Sequence, residues 1–249
     1  MSSVSIHAVL IPLDGSSFSQ RAVAYGIYVA KKMNIQLIGI HARTRGDSSA
    51  EETFIEIFLE DCRRFGISME LRQTTDLSSA AILEATADKE TGLFLIPRPD
   101  RLELQSTQNK PAHLALPGAP YTLMVIPPEF REIESMGLIY NGCSEGDHSL
   151  DLAVSLSRQA SWPLTILLPS EDPFRIDSLN RQLEDYFDQL TGEPLIDWDT
   201  VVLSGQQGEA AFRFLLDGSI ELLVMSRPDL DSSMVMLLNK SPIPVIVTR

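Results

Sequence analysis

Several classes of protein are excluded by what this sequence lacks. It has two cysteines in 249 residues, Cys62 and Cys143, too few for a disulfide framework. Its apolar runs are strand-sized, far short of the ~20 residues that span a bilayer, so no membrane insertion is expected. The start, MSSVSIHAVLIPLDGSS, has neither a basic segment nor an A-x-A-like cleavage site, and no signal peptide is read there. Positive charge is scarce: 20 Lys and Arg against 34 Asp and Glu leave a net charge of −14. A phosphate backbone requires a basic face, so a nucleic-acid partner is not expected. Together these absences favour a cytoplasmic protein. Catalytic signatures are missing as well. There is no H-E-x-x-H, no Walker lysine loop and no nucleophile elbow. The four histidines, His7, His41, His113 and His148, share no metal-ligand spacing and are expected at the surface or in loops. No catalytic residue and no metal site is assigned.

What is present is an ordinary globular composition, 44% apolar and 22% charged, with length for one large or two small domains. Strand patterns fall at 7–13, 35–42, 68–74, 92–98 and 121–127, then again at 136–141, 163–169, 199–205, 220–226 and 244–249. They are nearly continuous apolar runs, as in parallel strands buried on both faces. Helical spacing lies between them. Ala22, Gly26, Val29, Ala30 and Met33 form one stripe; Phe54, Ile57, Phe58, Cys62 and Phe65 form a second; Ala81, Ile82 and Ala85 suggest a third. Prolines 111 and 117 break the stretch 102–119. In the second half, helices are expected at about 148–160, 175–191, 207–217 and 231–239, the clearest stripe being Ile176, Leu179, Leu183, Tyr186, Phe187 and Leu190.

The halves match in sequence markers. Asp14-Gly15-Ser16 corresponds to Asn141-Gly142-Cys143, IPRPD (96–100) to MSRPD (225–229), and GAPYTLMVIP to KSPIPVIVTR. One slip of two residues is expected to align them, and a duplication explains the pattern. Domains are read at 1–128 and 136–249, with PPEFREIES carrying the linker 129–135. Each copy reads as a doubly wound α/β domain. Charge is uneven between them: residues 1–128 carry −2 and residues 129–249 carry −12.

Such sheets bind ligands beyond the carboxyl ends of the strands, at the switch point. In the first copy this brings forward Pro12, Leu13, Asp14, Gly15 and Ser16, then Ile40, His41, Arg43 and Arg45, then Pro97, Arg98, Asp100 and Arg101. An aspartate among arginines and a histidine, beside a helix N-terminus, suits an anion or a nucleotide. Capping competes as an explanation: Ser17 with Gln20 fits a capping box, and Asp-Gly is a common turn pair. In the second copy the same positions read Tyr140, Asn141, Cys143, Glu171, Asp172 and Arg227. Two acids replace the basic residues there and would repel a polyphosphate. That copy reads as a structural partner. Cys143 reads as a small turn residue and Cys62 as core.

The motif VLIPLDGSSFSQRAVAYGIYVAKKM, with IQLIGIHA, GLFLIPRPD and SPIPVIVTR, resembles the universal stress protein family in its tandem form, over about 5–128 and 136–249. The resemblance implies two Rossmann-like domains (adenine nucleotide alpha hydrolase-like), each a five-stranded parallel sheet of order 3-2-1-4-5 with helices on both faces. It also implies dimerisation through the last strand, a pair that a tandem chain can form internally as a pseudo-dimer. ATP-binding members carry a glycine signature after the fourth strand, where the backbone approaches the phosphates. Here PRPDRLELQSTQNKPAHLALPG and SRPDLDSSMVMLLNKS lack it. Pro12, Asp14 and Ile40 match adenosine-side positions, with Leu13, His41 and Arg98 as further candidates in the first copy. Asn141 and Arg227 are the inactive equivalents in the second. The expectation is a non-catalytic stress-response protein acting through protein partners, homodimers included. The alternatives are an adenine-nucleotide sensor using ATP or AMP in the first copy, or a weak ATPase.

Overall fold

In the computed structural model the described residues are 5–42, 49–74, 84, 92–98, 122–190, 196–227 and 232–248. The chain divides into two compact units: Ile6–Phe130, and Arg131–Arg249 together with the N-terminal residues to Ser5.

In the first unit, apolar runs form β1 (Ala8–Leu13), β2 (Gln36–Ala42), β3 (Met69–Thr74), β4 (Gly92–Pro97) and β5 (Thr122–Ile126). All neighbours are parallel, in the order β3-β2-β1-β4-β5. The central strands are buried almost throughout, whereas the edge strand β3 alternates and is half-exposed. That is the expected gradient when only central strands are covered on both faces. Two helices precede β3 in the chain, α1 (Ser17–Met33) and α2 (Ser49–Phe65). They lie on the sheet face that carries Ile11, Leu13, Leu37 and Gly39. A Cβ on Gly26 of α1 would touch Ile11 and Leu37, and one on Gly39 would meet Leu13 and then Phe58 of α2. Ala8, Leu10, Ile38, Ile40, Phe94, Ile96 and Leu123 form another buried cluster on the alternate residues.

The second unit repeats the design with β6 (Met136–Ile139), α3 (Ser144–Ala160), β7 (Leu164–Leu168), α4 (Pro173–Gln189), β8 (Trp198–Val202), α5 (Gln207–Leu216), β9 (Leu222–Ser226), α6 (Ser232–Lys240) and β10 (Val245–Thr248). Its order is β8-β7-β6-β9-β10, again parallel. Both units therefore have the 3-2-1-4-5 order. The duplication reaches backbone detail. Helices α1 and α3 each span 17 residues and end on a left-handed non-glycine cap, Asn34 (φ 54°, ψ 47°) and Ser161 (φ 57°, ψ 41°).

Some expectations need correction. The expected single slip does not align the last strands: Ile96 pairs with Val125 but Met225 with Val247, so the second copy is also shorter between its last two strands. The stripe on α2 is narrower than its apolar residues suggest. Phe58 and Cys62 are fully buried, whereas Ile57 is 54% and Phe65 42% exposed. An edge helix buries one line of side chains, and Phe65 lies instead beneath the cations Lys31 and Arg64. On α4 only Leu179 and Leu183 are fully buried, for the same reason. The third helical stripe, at Ala81, Ile82 and Ala85, and the stretch 102–119 lie outside the described residues.

Candidate functional site

The crevice is built by the register of the strands. β1 pairs with β2 up to Leu13↔His41, but with β4 only up to Leu10↔Phe94. The two central strands part toward their carboxyl ends, as at a topological switch point. Pro12, Leu13, Ile40 and His41 are thus brought together as direct neighbours, Pro12 opposite Ile40 and Leu13 opposite His41.

Their environments differ. Pro12 is half-buried, and Leu13 and Ile40 are buried in the core. Leu13 belongs to the face under α1 and α2, and Ile40 to the opposite cluster. His41 is buried rather than in a loop or at the surface; its carbonyl accepts from Thr74 Oγ1 at 3.3 Å. The extended strand continues one residue past it, and this carries the imidazole inside. His7 is exposed and His148 is on α3. Arg43, Arg45, Asp100, Arg101 and His113 lie outside the described residues.

Asp14 is exposed and fastens the turn from β1 into α1. Its Oδ1 accepts from the Ser16 amide at 3.0 Å, from the Ser16 hydroxyl and from the Ser19 hydroxyl. Ser19 Oγ in turn accepts from the Asp14 amide at 2.9 Å. Gly15 takes φ 72°, open to glycine at little cost. The helix cap is Ser16, whose side chain accepts from the Ser19 amide. It is not Ser17 as the capping-box spacing suggested, because the Asp14 turn places Ser17 already inside the helix.

The second copy keeps this turn with different atoms. Asn141 Oδ1 accepts from the Cys143 amide at 3.1 Å, Gly142 has φ 74°, and the Cys143 thiol caps α3 by accepting from the Gly146 amide at 3.3 Å. Around it, however, further side chains are bonded to the turn and its helix. Tyr140, buried at the end of β6, donates to Asp147 of α3 at 2.8 Å, and Arg175 of α4 donates to the Asn141 carbonyl at 3.2 Å. Burial, then the bond to Asp147, pushes the Tyr140 hydroxyl well above its ordinary range, so it stays a donor. The two acids of this copy have structural partners. Glu171 accepts from the Gly205 amide at 2.8 Å, and Asp172 caps α4 through the Phe174 amide at 3.0 Å.

Arg98 follows β4 and is half-buried; its amide donates to the Ile126 carbonyl at 2.9 Å. Burial, and next the charge of Arg21, holds its guanidinium below its ordinary range. Arg21 of α1 was missed at the sequence level; its signal was the cation in FSQRA, one helical turn past the cap. Arg227, the counterpart after β9, is lowered by burial. Among the described residues no three His, Cys, Asp or Glu side chains gather as a metal site. No helix among them is long and apolar enough to cross a membrane. Cys62 is core, its thiol pushed up to about 11 mainly by burial and next by Asp61.

No protein-family model and no curated protein sequence matches the chain. Solved structures do. A universal stress protein from Archaeoglobus fulgidus covers 100% of the chain and 99% of its own length, with TM-score 0.70 at 15% identity. The chain has the tandem universal stress protein fold. A functionally unknown protein from Pseudomonas aeruginosa shares it, covering 99% of this chain and 94% of its own, with TM-score 0.69 at 14% identity. So does the cytoplasmic domain of a prokaryotic cation chloride cotransporter, covering 97% and 95%, with TM-score 0.62 at 9% identity. One tandem universal stress fold thus carries unlike roles, and function must be argued from side chains.

Proposed function

We propose that this chain is a non-catalytic universal stress-type protein that works through protein partners, its first unit keeping at most the nucleoside half of a nucleotide pocket. The observation that carries the reading is the Asp14 carboxylate, whose Oδ1 is occupied by its own turn next to strand ends whose side chains belong to the core. The sequence after β4, with no glycine before Gly118, supports it, since bulky residues and prolines offer phosphates few close amides. The side-chain bonds around the second turn, Tyr140 to Asp147 and Arg175 to the Asn141 carbonyl, support a structural role for that copy. Isothermal titration with ATP, ADP and AMP tests the reading. Weak or absent binding is expected, and magnesium-dependent ATP binding below about 1 μM overturns it.

A second reading is favoured by one observation, the closeness of Arg21 to Arg98. A guanidinium on α1 beside one just after β4 suits a phosphate, so the first unit would sense AMP or ATP, with Asp14 and His41 at the nucleoside end. On this reading Asp14→Ala and Arg98→Ala both weaken nucleotide binding. Unchanged affinity in both removes it. A phosphate-release assay on the pure chain separates either reading from a slow ATPase.

A further inference from the structure

Ser17, Gln20, Arg21, Ala24 and Tyr25 recur at helical spacing and share one face of α1. After β5 the chain returns over this face, where Pro128 and Phe130 complete a cavity of about 310 Å3. That is the size range of small-ligand sites. The returning segment is fastened there. The hydroxyl of buried Tyr25 donates to the Glu129 carbonyl at 3.1 Å, and the Phe130 ring lies 4.8 Å from that of Tyr25 and 5.6 Å from that of Tyr28. Phe130 nevertheless stays 46% exposed, an aromatic ring at the mouth of a cavity. The lining also includes Ser17, Gln20 and Arg21, whose guanidinium carbon stands 5.0 Å over the Phe18 ring. Arg98 is close enough to feel the Arg21 charge, and neighbouring like charges favour a bound anion.

We infer that this cavity binds a small organic anion with a planar apolar body. Its acidic oxygens meet Arg21, with Gln20 and Ser17 as further donors, and its ring lies against Phe130, Pro128 and Tyr25. The site uses none of Pro12, Asp14, Ile40 or His41; it shares Arg21 with the phosphate end of the second reading, and the response to Asp14→Asn tells the two apart. The test is titration of 1-naphthyl phosphate into the full-length chain, followed by amide chemical shifts and ligand fluorescence. Saturable binding is expected, with the amides of Gln20–Tyr25 and Phe130 perturbed. Arg21→Gln should weaken it about tenfold or more, the ordinary worth of a charged hydrogen bond. Phe130→Ala should weaken it too, neutral 1-naphthol should bind correspondingly less well, and Asp14→Asn should leave it unchanged. Both changed side chains are partly exposed, and the folded state of each variant is checked by its melting curve. No saturable binding, affinity unmoved by Arg21→Gln, or 1-naphthol binding as tightly as its phosphate overturns the inference.

Discussion

Tyr140 donates its hydroxyl to Asp147 at 2.8 Å, at the two positions where the first copy has Leu13 and Gln20. The same fold point is thus tied by a side-chain bond in one copy and left as a buried leucine in the other. The bond is part-buried and Asp147 can return to water. Tyr140→Phe should therefore cost about 1 kcal/mol, typical of one net hydrogen bond. Urea unfolding of the wild type and the variant, with matched slopes, measures it.

The β1–α1 turn accepts either an aspartate or an asparagine in principle, because the second copy makes its equivalent bond through Asn141 Oδ1. Asp14→Asn should lie within a few tenths of a kcal/mol of wild type, whereas Asp14→Ala and Ser16→Ala should each lose ~1 kcal/mol, the usual worth of a capping side chain. Thermal melts of the three variants decide it; an Asp14→Asn as damaging as Asp14→Ala would show that the charge matters, not the turn.

Two glycines on helices should respond in opposite ways. A Cβ on Gly208 of α5 would stand 2.4 Å from the backbone carbon of Ser233 on α6, so Gly208→Ala should cost ~2–3 kcal/mol through overpacking. A Cβ on Gly26 would meet side-chain methyls, Leu37 Cδ1 at 3.0 Å and Ile11 Cγ2 at 3.1 Å, and α3 carries Ala153 at the matching turn. Gly26→Ala should fall within ~1 kcal/mol of wild type, since the gain in helix propensity offsets small shifts. Chemical denaturation separates the pair.

Thiol reactivity should divide the two cysteines. Cys62 is fully buried and its thiol is raised from 9.0 to about 11, while Cys143 is half-buried at a helix cap. At pH 8 a chromogenic disulfide reagent should modify Cys143 in the native protein and Cys62 only on unfolding. The raised pKa of this thiol also sets a sign. The native state holds the Cys62 proton to higher pH than the unfolded chain, so this contribution is intact below pH 9 and is lost as pH rises toward 11. Unfolding free energy measured between pH 8 and 10.5 should fall over the upper part of that range, and less so in Cys62→Ala relative to its own value at pH 8.

The order of strands and helices, the duplication and the DGSS turn were legible from the chain alone, because each is a local matter. Apolar runs bounded by proline and glycine make strands wherever they fall, and an Asp or Asn two residues before an amide closes its own turn. Gly15 and Gly142 required no partner far away to take their left-handed angles. What the linear pattern left open was every relation that depends on register or on which faces meet. Ile40 and Leu13 were placed at the site by motif, and the pleat sends both into the core. His41 was expected at the surface or in a loop, and its pairing position beside Leu13 within the sheet buried it. Glu171 and Asp172 read as repulsive charge, and folding set them on the Gly205 and Phe174 amides. The Arg21–Arg98 proximity and the Phe130 cavity join residues some 77 and 100 or more positions apart; no periodicity encodes such distances. Sequence by itself determined the kinds of elements and their duplication, since hydrophobic period and turn chemistry act over a few residues. Tertiary structure alone decided which distant residues meet, Arg175 at the Asn141 carbonyl and Phe130 against Tyr25, because such contacts depend on where packed elements and returning chain bring them.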